Sequence, residues 1–236
     1  MGKNIIGLCS CPRLGFMDFM GMSLVALVQN NVSYMNLFGV FWSQALAEGI
    51  RNALDNEYDY IITTDYDSIF DKDDVGRLID LMDNHPEADA ISAVQMGRFN
   101  GLLMSGMMDK DAMLKQELVP IDTAHFGLTI FRKEAFEGLH KPWFAHRPDE
   151  DGEYKKGGKG KLDDDIYFWR NFKYSGKKLF LAPQVVIGHM ELLVLWPDEN
   201  MGESYQTLAH FRNNGKPEDA WGHEWRTALK EAKQQT

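Results

Sequence analysis

Two aspartates in the sequence stand directly after a hydrophobic segment. The stretch YIITTDYDS has the pattern of a buried strand, and Asp65 and Asp67 lie where it ends. If the chain turns there, both carboxylates point into one cleft and supply hard oxygen ligands for a divalent cation. Such a cation can bridge the phosphates of a nucleotide diphosphate and stabilise its charge as it leaves. The pattern indicates a cation site, although acids in a loop can also cap the next helix.

Three consecutive acids and one histidine carry the rest of the candidate chemistry. Asp163, Asp164 and Asp165 precede IYFWRNF, where a helix is predicted to begin, and helix N-termini stabilise negative charge. The acids are therefore either a helix cap or the source of a base that takes a proton from an acceptor hydroxyl. His189 follows Gly188 at the end of another predicted strand. By itself it would be an ordinary hydrogen-bonded histidine; joined to two aspartates, it completes a mixed nitrogen and oxygen site that suits Mn²⁺ at least as well as Mg²⁺.

Alternating strand and helix patterns would position these residues. The first part of the chain has the rhythm of β-α-β units with a mostly parallel sheet. Ligands of such sheets bind beyond the carboxyl ends of the strands, where Asp65 and Asp67 are expected. The predicted strands are 4–10, 34–40, 58–65 and 88–96, with a strand running into a helix start at 126–136 and a strand, turn and strand at 179–190. The predicted helices are 15–30, 43–54, one capped by Asp71 or Asp73 and closed by His85 and Pro86, and 162–178 ended by Gly176. Residues 97–120 are predicted as a hairpin or a loop with a short helix, and 146–161 as a mobile loop.

Size and charge limit the class of protein. The chain has 236 residues, 44% of them hydrophobic, which is enough for one sizeable core. We expect a catalytic domain at 1–190 and a helical extension at 191–236 packed on the same domain. The formal net charge of -10 repels nucleic acid and anionic membranes unless a local basic patch overrides it.

Compartment follows from what the sequence contains. No apolar stretch approaches the roughly 20 residues that span a bilayer, and the first residues lack the apolar run of a secretory signal. Cys9 and Cys11 are too close in the chain for an ordinary disulfide. We therefore expect a cytoplasmic protein without a membrane span.

The order of these motifs resembles that of the nucleotide-sugar glycosyltransferases of the GT-A fold, in a family 2-like arrangement. The resemblance runs over roughly residues 4–190. It implies a Rossmann-like three-layer α/β/α sandwich with a mostly parallel central sheet, a UDP- or GDP-sugar donor, and Mn²⁺ or Mg²⁺ as cofactor. By the same resemblance, Asp65 and Asp67 form the D-x-D motif, Gly127 belongs to a glycine loop at the donor, and His189 is the third metal ligand.

The resemblance also implies roles for residues outside the D-x-D. Asp164 and Asp165 match an acidic pair in which the inverting relatives use the second acid as base. This favours Asp165, but Asp164 replaces the glutamate of many relatives, so the base is one of the two. Pro12 and Arg13 resemble a donor-site loop, and Trp143 resembles an aromatic residue presented to the acceptor. The lysine-rich stretch KKGGKGK either closes over the donor diphosphate or is solvated.

Three other classes share parts of the pattern. A haloacid-dehalogenase-like phosphohydrolase would use the first aspartate of the D-x-D as nucleophile, normally on its first strand. A sugar-1-phosphate nucleotidyltransferase would open with a glycine-rich loop, which CSCPRLGF lacks. A non-catalytic binding domain would use the acids only as caps. We predict a metal-dependent, hexosyltransferase-like glycosyltransferase whose acceptor is a glycan, a protein, a small molecule or a modified nucleic-acid base.

Overall fold

Strands and helices alternate along the chain in the order that the sequence predicts. The computed structural model describes residues 2–11, 17–97, 103–106, 110–155, 158–198, 200 and 202–220. The first elements are β1 (Ile5–Cys11), α1 (Met17–Gln29), β2 (Ser33–Phe38), α2 (Trp42–Asp55), β3 (Tyr60–Asp65), β4 (Ser68–Ile69), α3 (Lys72–Asn84) and β5 (Ala90–Gln95). They are followed by α4 (Lys110–Leu114), β6 (Val119–Pro120), β7 (Leu128–Arg132), a 3-10 helix (Lys133–Phe136), α5 (Asp164–Tyr174), β8 (Leu179–His189), β9 (Leu193–Pro197), β10 (Glu203–Thr207) and α6 (Leu208–Asn214).

The central sheet is mixed, with most of its long strands parallel. Among the described residues it has eight strands in the order β2-β1-β3-β7-β5-β8-β4, and β6 also pairs with β8. β1 is parallel to β2 and β3, and β5 is parallel to β8, whereas β7 is antiparallel to both β3 and β5. Five strands therefore run in one direction, and their carboxyl ends share one edge of the sheet, here called the carboxyl edge. This confirms the predicted α/β class and its mostly parallel sheet.

Helices cover both faces of this sheet. Ile6 and Leu8 of β1 join a core cluster with residues of α2 and α5. Between them, Gly7 points to the other face, where a Cβ would lie 2.7 Å from the Leu27 side chain of α1. α1 packs against α3 on that side. Strands buried on both faces are continuously hydrophobic, as β1, β3 and β5 are, and the layers are α, β and α as predicted.

The helix after the D-x-D begins with a capping box. Asp71 Oδ1 accepts hydrogen bonds from the backbone N–H groups of Asp73 and Asp74, and Asp74 Oδ2 accepts one from the Asp71 N–H. Val75, Leu78 and Met82 form the buried stripe of α3. The predicted cap at Asp71 and the end at His85 are both confirmed.

The prediction of a strand, turn and strand at 179–190 is wrong. β8 continues through the whole segment, and its register with β5 shifts between the pairs Ala93–Ala182 and Val94–Val186. Pro183 lies in the shifted part, and because proline has no N–H to donate, the strand accommodates it in an irregularity without reversing. α5 ends as predicted, with Gly176 in the left-handed region at φ +75°.

The residues after His189 belong to a second compact unit. Of the described residues, those up to His189 form the first unit, and those from Met190 to Ala220 belong to the second. Within the second unit, β9 and β10 form an antiparallel hairpin that is followed by α6, where the sequence analysis predicted helices alone. Trp196 Nε1 donates to Gln206 Oε1 across the hairpin at 2.9 Å. In the described part of the chain, no helix has the length and apolar character that crossing a bilayer requires.

Candidate active site

Asp65 is held in place where β3 ends at the carboxyl edge. Its Oδ1 accepts a hydrogen bond from Ser10 Oγ at 2.6 Å and one from Trp42 Nε1 at 3.2 Å. Ser10 is the register partner of Asp65 in β1, and Trp42 is the first residue of α2. The carboxylate is therefore oriented by two neighbouring elements, and charge-assisted hydrogen bonds of this kind are strong.

Asp67 and His189 lie side by side on neighbouring strands. β4 begins one residue after Asp67, and its Ser68 pairs in register with His189. Asp67 Oδ1 is 3.7 Å from His189 Nε2, and both side chains are nearly buried. His189 Nδ1 is 2.9 Å from the Met96 carbonyl oxygen, which only accepts, so Nδ1 carries a proton, and in the neutral ring Nε2 has the lone pair. A histidine that ligates a metal through one ring nitrogen usually donates the N–H of its other ring nitrogen to a carbonyl or carboxylate oxygen, as His189 Nδ1 does here.

The donor atoms present fit a divalent cation at the Asp67 and His189 pair. A carboxylate oxygen and an imidazole nitrogen at this separation can reach one ion, and the mixed set suits Mn²⁺. Among the described residues, however, no three His, Cys, Asp or Glu side chains are grouped closely enough to form a metal centre. The structure therefore brings Asp67 and His189 together, and Asp65 lies in the adjoining turn with Ser10 and Trp42 as hydrogen-bond donors.

Gly127 fills a place where no side chain fits. A Cβ there would lie 2.5 Å from Ser68 Oγ, 2.7 Å from Gln95 Oε1 and 2.9 Å from His125 Nδ1. Gln95 Nε2 in turn donates to Ser68 Oγ and to the Gly188 carbonyl oxygen. Gln95 thus ties β5 to the two strands that carry Asp67 and His189, and Gly127 permits that close packing.

His125 is a buried neutral imidazole beside the same network. Its Nδ1 accepts from the Gly127 N–H at 2.9 Å, and its Nε2 donates to the Ala93 carbonyl oxygen at 2.7 Å. Burial away from water is the main cause that lowers the pKa of His125 to about 4. This histidine is uncharged at neutral pH and holds the turn before β7 in place.

The three acids at the start of α5 have different partners. Asp163 is the N-cap residue but makes no side-chain cap, and its Oδ1 is 3.0 Å from Lys161 Nζ. Asp164 Oδ1 is 3.0 Å from His146 Nδ1. Asp165 Oδ1 accepts the Ile166 N–H at 2.8 Å, and burial raises the pKa of Asp165, with smaller contributions from the two neighbouring carboxylates. A raised pKa makes Asp165 the stronger proton acceptor at neutral pH.

One cavity brings the two acidic motifs together. It has a volume of about 260 Å³ and is lined by Trp42, Asp65, Met104, His125, Phe126, Asp164 and Asp165. The Trp42 ring packs edge-on against Phe126 at 5.2 Å, so the wall between the two motifs is aromatic. The cavity lies at the carboxyl edge, as the sequence predicted for its ligand.

Several residues in this cavity or next to it were not predicted from the sequence. Ser10 and Trp42 stand at or just beyond the carboxyl ends of β1 and β2, so the rule that pointed to Asp65 also applies to them. His125 and Phe126 precede β7, whose antiparallel direction brings its first residue to the same edge. Nothing in the local sequence shows that direction.

Other predicted site residues lie elsewhere or outside the described residues. Trp143 is 6% exposed, and its ring packs 5.6 Å from Phe136 and lines a different cavity. Pro12 and Arg13 are not among the described residues. The lysine-rich loop pairs with acids near it, in the ion pairs Lys155–Glu153, Lys159–Glu150 and Lys161–Asp163.

Comparison with known proteins identifies the fold and a family that part of the chain resembles. Residues 32–139, which include the D-x-D turn and Gly127, match the family model described as glycosyl transferase family 2. The chain has the GT-A fold, and this segment of it matches the family. No curated protein matches this chain significantly in sequence.

Several solved structures resemble this chain in fold. The crystal structure of A197 from STIV has a TM-score of 0.55 at 14% identity, over 86% of this chain and 94% of that one. GalNAc-T7, solved with UDP, GalNAc and Mn²⁺, has a TM-score of 0.52 at 11% identity over 79% of this chain. The mannosyltransferase PcManGT from Pyrobaculum calidifontis, solved with GDP-Man and Mn²⁺, has a TM-score of 0.51 at 14% identity over 79% of this chain. The chain spans about half the length of these last two proteins, 44% and 56% respectively.

Proposed function

We propose that the chain transfers a sugar from a UDP- or GDP-sugar to an acceptor hydroxyl with inversion, using Asp165 as the base. The observation that carries this proposal is the shared cavity of Asp65 and Asp165, in which burial raises the pKa of Asp165. Asp164 lines the same cavity but is engaged by His146. We therefore assign proton transfer to Asp165 and a positioning role to Asp164.

We further propose a divalent cation, Mn²⁺ or Mg²⁺, at Asp67 and His189. The proposal is supported by the lone pair of His189 Nε2 facing Asp67 and by the Mn²⁺ in two structural neighbours. When bound, this cation would neutralise charge on the departing diphosphate. Asp65, fixed by Ser10 and Trp42, would contact the donor or a water of the cation.

The residues that line the cavity then have different roles in the reaction. The acceptor oxygen forms its bond to the anomeric carbon of the sugar, while the bond from that carbon to the diphosphate oxygen breaks. The proton of the acceptor hydroxyl passes to the Asp165 carboxylate, and the nucleotide diphosphate leaves with the electron pair. The rings of Trp42 and Phe126 restrict water, which would otherwise compete with the acceptor.

Further contacts and the compartment complete the proposal. Gly127 would let the donor approach the backbone closely, Pro12 and Arg13 would contact its nucleotide, and Trp143 would face the acceptor side. Cys9 and Cys11 are both free and buried, which supports the cytoplasm as the compartment.

The test is hydrolysis of UDP- and GDP-sugars with Mn²⁺, which needs no acceptor. Asp67→Asn keeps the shape but removes the charge, so donor hydrolysis should fall about 100-fold or more. Asp122→Asn is the matched control, because Asp122 only pairs with Lys173 at the exposed surface. Wild-type rates in Asp67→Asn, or release of phosphate from an aryl phosphate as the main activity, would contradict the proposal.

A further inference from the structure

A second and larger cavity lies beside α2 and shares no residue with the one that holds Asp65. Its volume is about 490 Å³, within the range of roughly 300–1,000 Å³ that is usual for small-molecule sites. One side is the part of α2 from Ser43 to Arg51, and the other is the segment from Lys141 to Phe144. The Phe144 ring packs edge-on against Trp42 at 5.5 Å, so the two cavities are separated by aromatic side chains.

The charged side chains of this cavity are all cationic. Arg51 and Lys141 line it, and no Asp or Glu does among the described residues. The Lys141 ammonium lies 5.3 Å from the centre of the Trp143 ring. Within the described part of the chain, no carboxylate lies within ion-pair distance of Arg51 or Lys141, whereas Lys155, Lys159 and Lys173 all have one.

Two cations and no described carboxylate line this cavity, on a chain whose formal net charge is -10. Around them, Ser43 and Gln44 offer neutral hydrogen-bonding groups, and Ala47 and Phe144 offer apolar wall. A guanidinium binds phosphate or carboxylate oxygens in pairs, and an ammonium adds a point charge. Hydroxyl groups of a sugar would find partners in the serine and the glutamine.

We propose that this cavity is a second binding site, for a sugar-sized ligand that carries a phosphate or carboxylate group. Arg51 and Lys141 bind the anionic group, and Ser43 and Gln44 bind the hydroxyl groups. The ligand reaches the site either as an acceptor with an anionic substituent or as a small-molecule effector. The site does not depend on the catalytic assignments above, because it contains none of those acids.

Titration with inorganic phosphate, glucose 6-phosphate and glucose tests the site without donor or metal. The indole N–H signal of Trp143, assigned with a Trp143→Phe variant, reports on the cavity. The signal of Trp169, whose Nε1 bonds to the Ala124 carbonyl oxygen in the core, is the internal control. We expect glucose 6-phosphate to shift the Trp143 signal and not that of Trp169, and glucose to bind far more weakly.

Charge-removing variants decide whether the two cations are responsible. Arg51→Gln and Lys141→Gln should each weaken glucose 6-phosphate binding about tenfold, as expected for a lost charge-assisted hydrogen bond. Arg170→Gln, at an exposed position of α5, should leave it unchanged. Thermal unfolding of each variant shows whether it is folded. If one variant does not fold, the other still tests the proposal.

The outcomes are distinguishable from those of the donor assay. Equal affinity for glucose and glucose 6-phosphate, no saturable binding, or wild-type affinity in both variants would overturn the anion site and leave the proposed transferase activity untouched. Adding glucose 6-phosphate to the donor assay then shows whether the ligand of this cavity is an acceptor or an effector. A glycosylated product identifies an acceptor, and a changed rate of donor turnover without such a product identifies an effector.

Discussion

The acids at the start of α5 differ in their surroundings although they are neighbours in the chain. Asp163 contacts Lys161, Asp164 contacts His146, and Asp165 is desolvated enough for its pKa to rise. A base must be unprotonated at the working pH and yet bind a proton readily, which a raised pKa favours as long as it stays below that pH. Environment, and not residue type, is therefore the reason that we propose Asp165 as the base.

Replacing Asp165 with asparagine should abolish sugar transfer and change how stability depends on pH. The pKa of Asp165 is raised in the folded chain, so the folded state holds this proton more tightly than the unfolded state. The resulting stabilisation is fully present below the unfolded pKa and is lost as pH rises through the folded pKa. The asparagine side chain cannot ionise, so the Asp165→Asn variant escapes that loss. Thermal unfolding between about pH 4 and pH 8 should show that the Tm of the variant increases relative to that of wild type as pH rises. Two Tm curves that run parallel would contradict the assignment.

Replacing Trp42 with phenylalanine should weaken donor use more than it weakens the fold. The change keeps an aromatic ring against Phe126 but removes the N–H that donates to Asp65 Oδ1 and Ser10 Oγ. Losing a hydrogen bond to a carboxylate costs about 1.5 kcal/mol, so donor kcat/KM should fall about tenfold, mainly through KM. Trp196→Phe is the matched control, because it removes a similar N–H bond from the β9 and β10 hairpin. A donor KM equal to that of wild type in Trp42→Phe would show that the indole does not position Asp65.

Part of this residue-level picture could be predicted from the sequence. The positions of Asp65, Asp67 and His189 at or just after strand ends were predictable, because polar residues that follow hydrophobic runs can be recognised in the sequence. Trp42 and His125 were missed because a tryptophan at a helix start and a histidine inside a loop have common structural explanations. Their importance comes from partners far along the chain, such as the 32 residues that separate Ser10 from Trp42.

At the scale of elements, the antiparallel strand β7 is decisive for the site. It lies between β3 and β5, and its direction carries Gly127 and His125 to the carboxyl edge at the start of the strand. There Gly127 packs against side chains of β4 and β5, namely Ser68 and Gln95. The surroundings of Asp67 and His189 are therefore packed in part against the start of a strand that runs the opposite way.

Gly127→Ala should destabilise the fold and weaken the cation site together. The new methyl group would lie under 3.0 Å from three polar atoms, and overpacking of this kind costs about 1–3 kcal/mol. Gly21→Ala is the matched control, since a Cβ at Gly21 in α1 meets nothing within 4 Å. Helix propensity should make that control neutral or slightly stabilising. Urea unfolding and Mn²⁺ titration of both variants provide the measurements; equal effects of the two changes would refute the packing argument.

Elements with strong periodicity were predictable, and irregular ones were not. The capping box of α3 and the buried runs of β1, β3 and β5 have local causes, so the sequence shows them. The continuation of β8 past Pro183 and the hairpin of β9 and β10 depend on pairing with partner strands. Local propensity does not encode such pairing, which tertiary context decides.

At the scale of the whole molecule, the net negative charge means that an anionic ligand can bind only where local positive charge offsets it. A formal net charge of -10 opposes the approach of an anionic donor or acceptor. The proposed divalent cation at Asp67 and His189 would reverse that sign at one end of the site, and Arg51 and Lys141 do so in the neighbouring cavity. Composition alone predicts the repulsion, but it does not show where the exceptions lie.

The pairing of β5 with β8 joins parts of the sheet that are distant in sequence. Gln95 donates to the carbonyl of Gly188, a partner 93 residues further along the chain. Contacts of such long range form late, because closing a large loop costs entropy before any contact repays it. A polypeptide still leaving the ribosome carries the aspartates without the imidazole that faces them. In the proposed mechanism, a nascent chain therefore lacks the complete cation site until synthesis has passed His189.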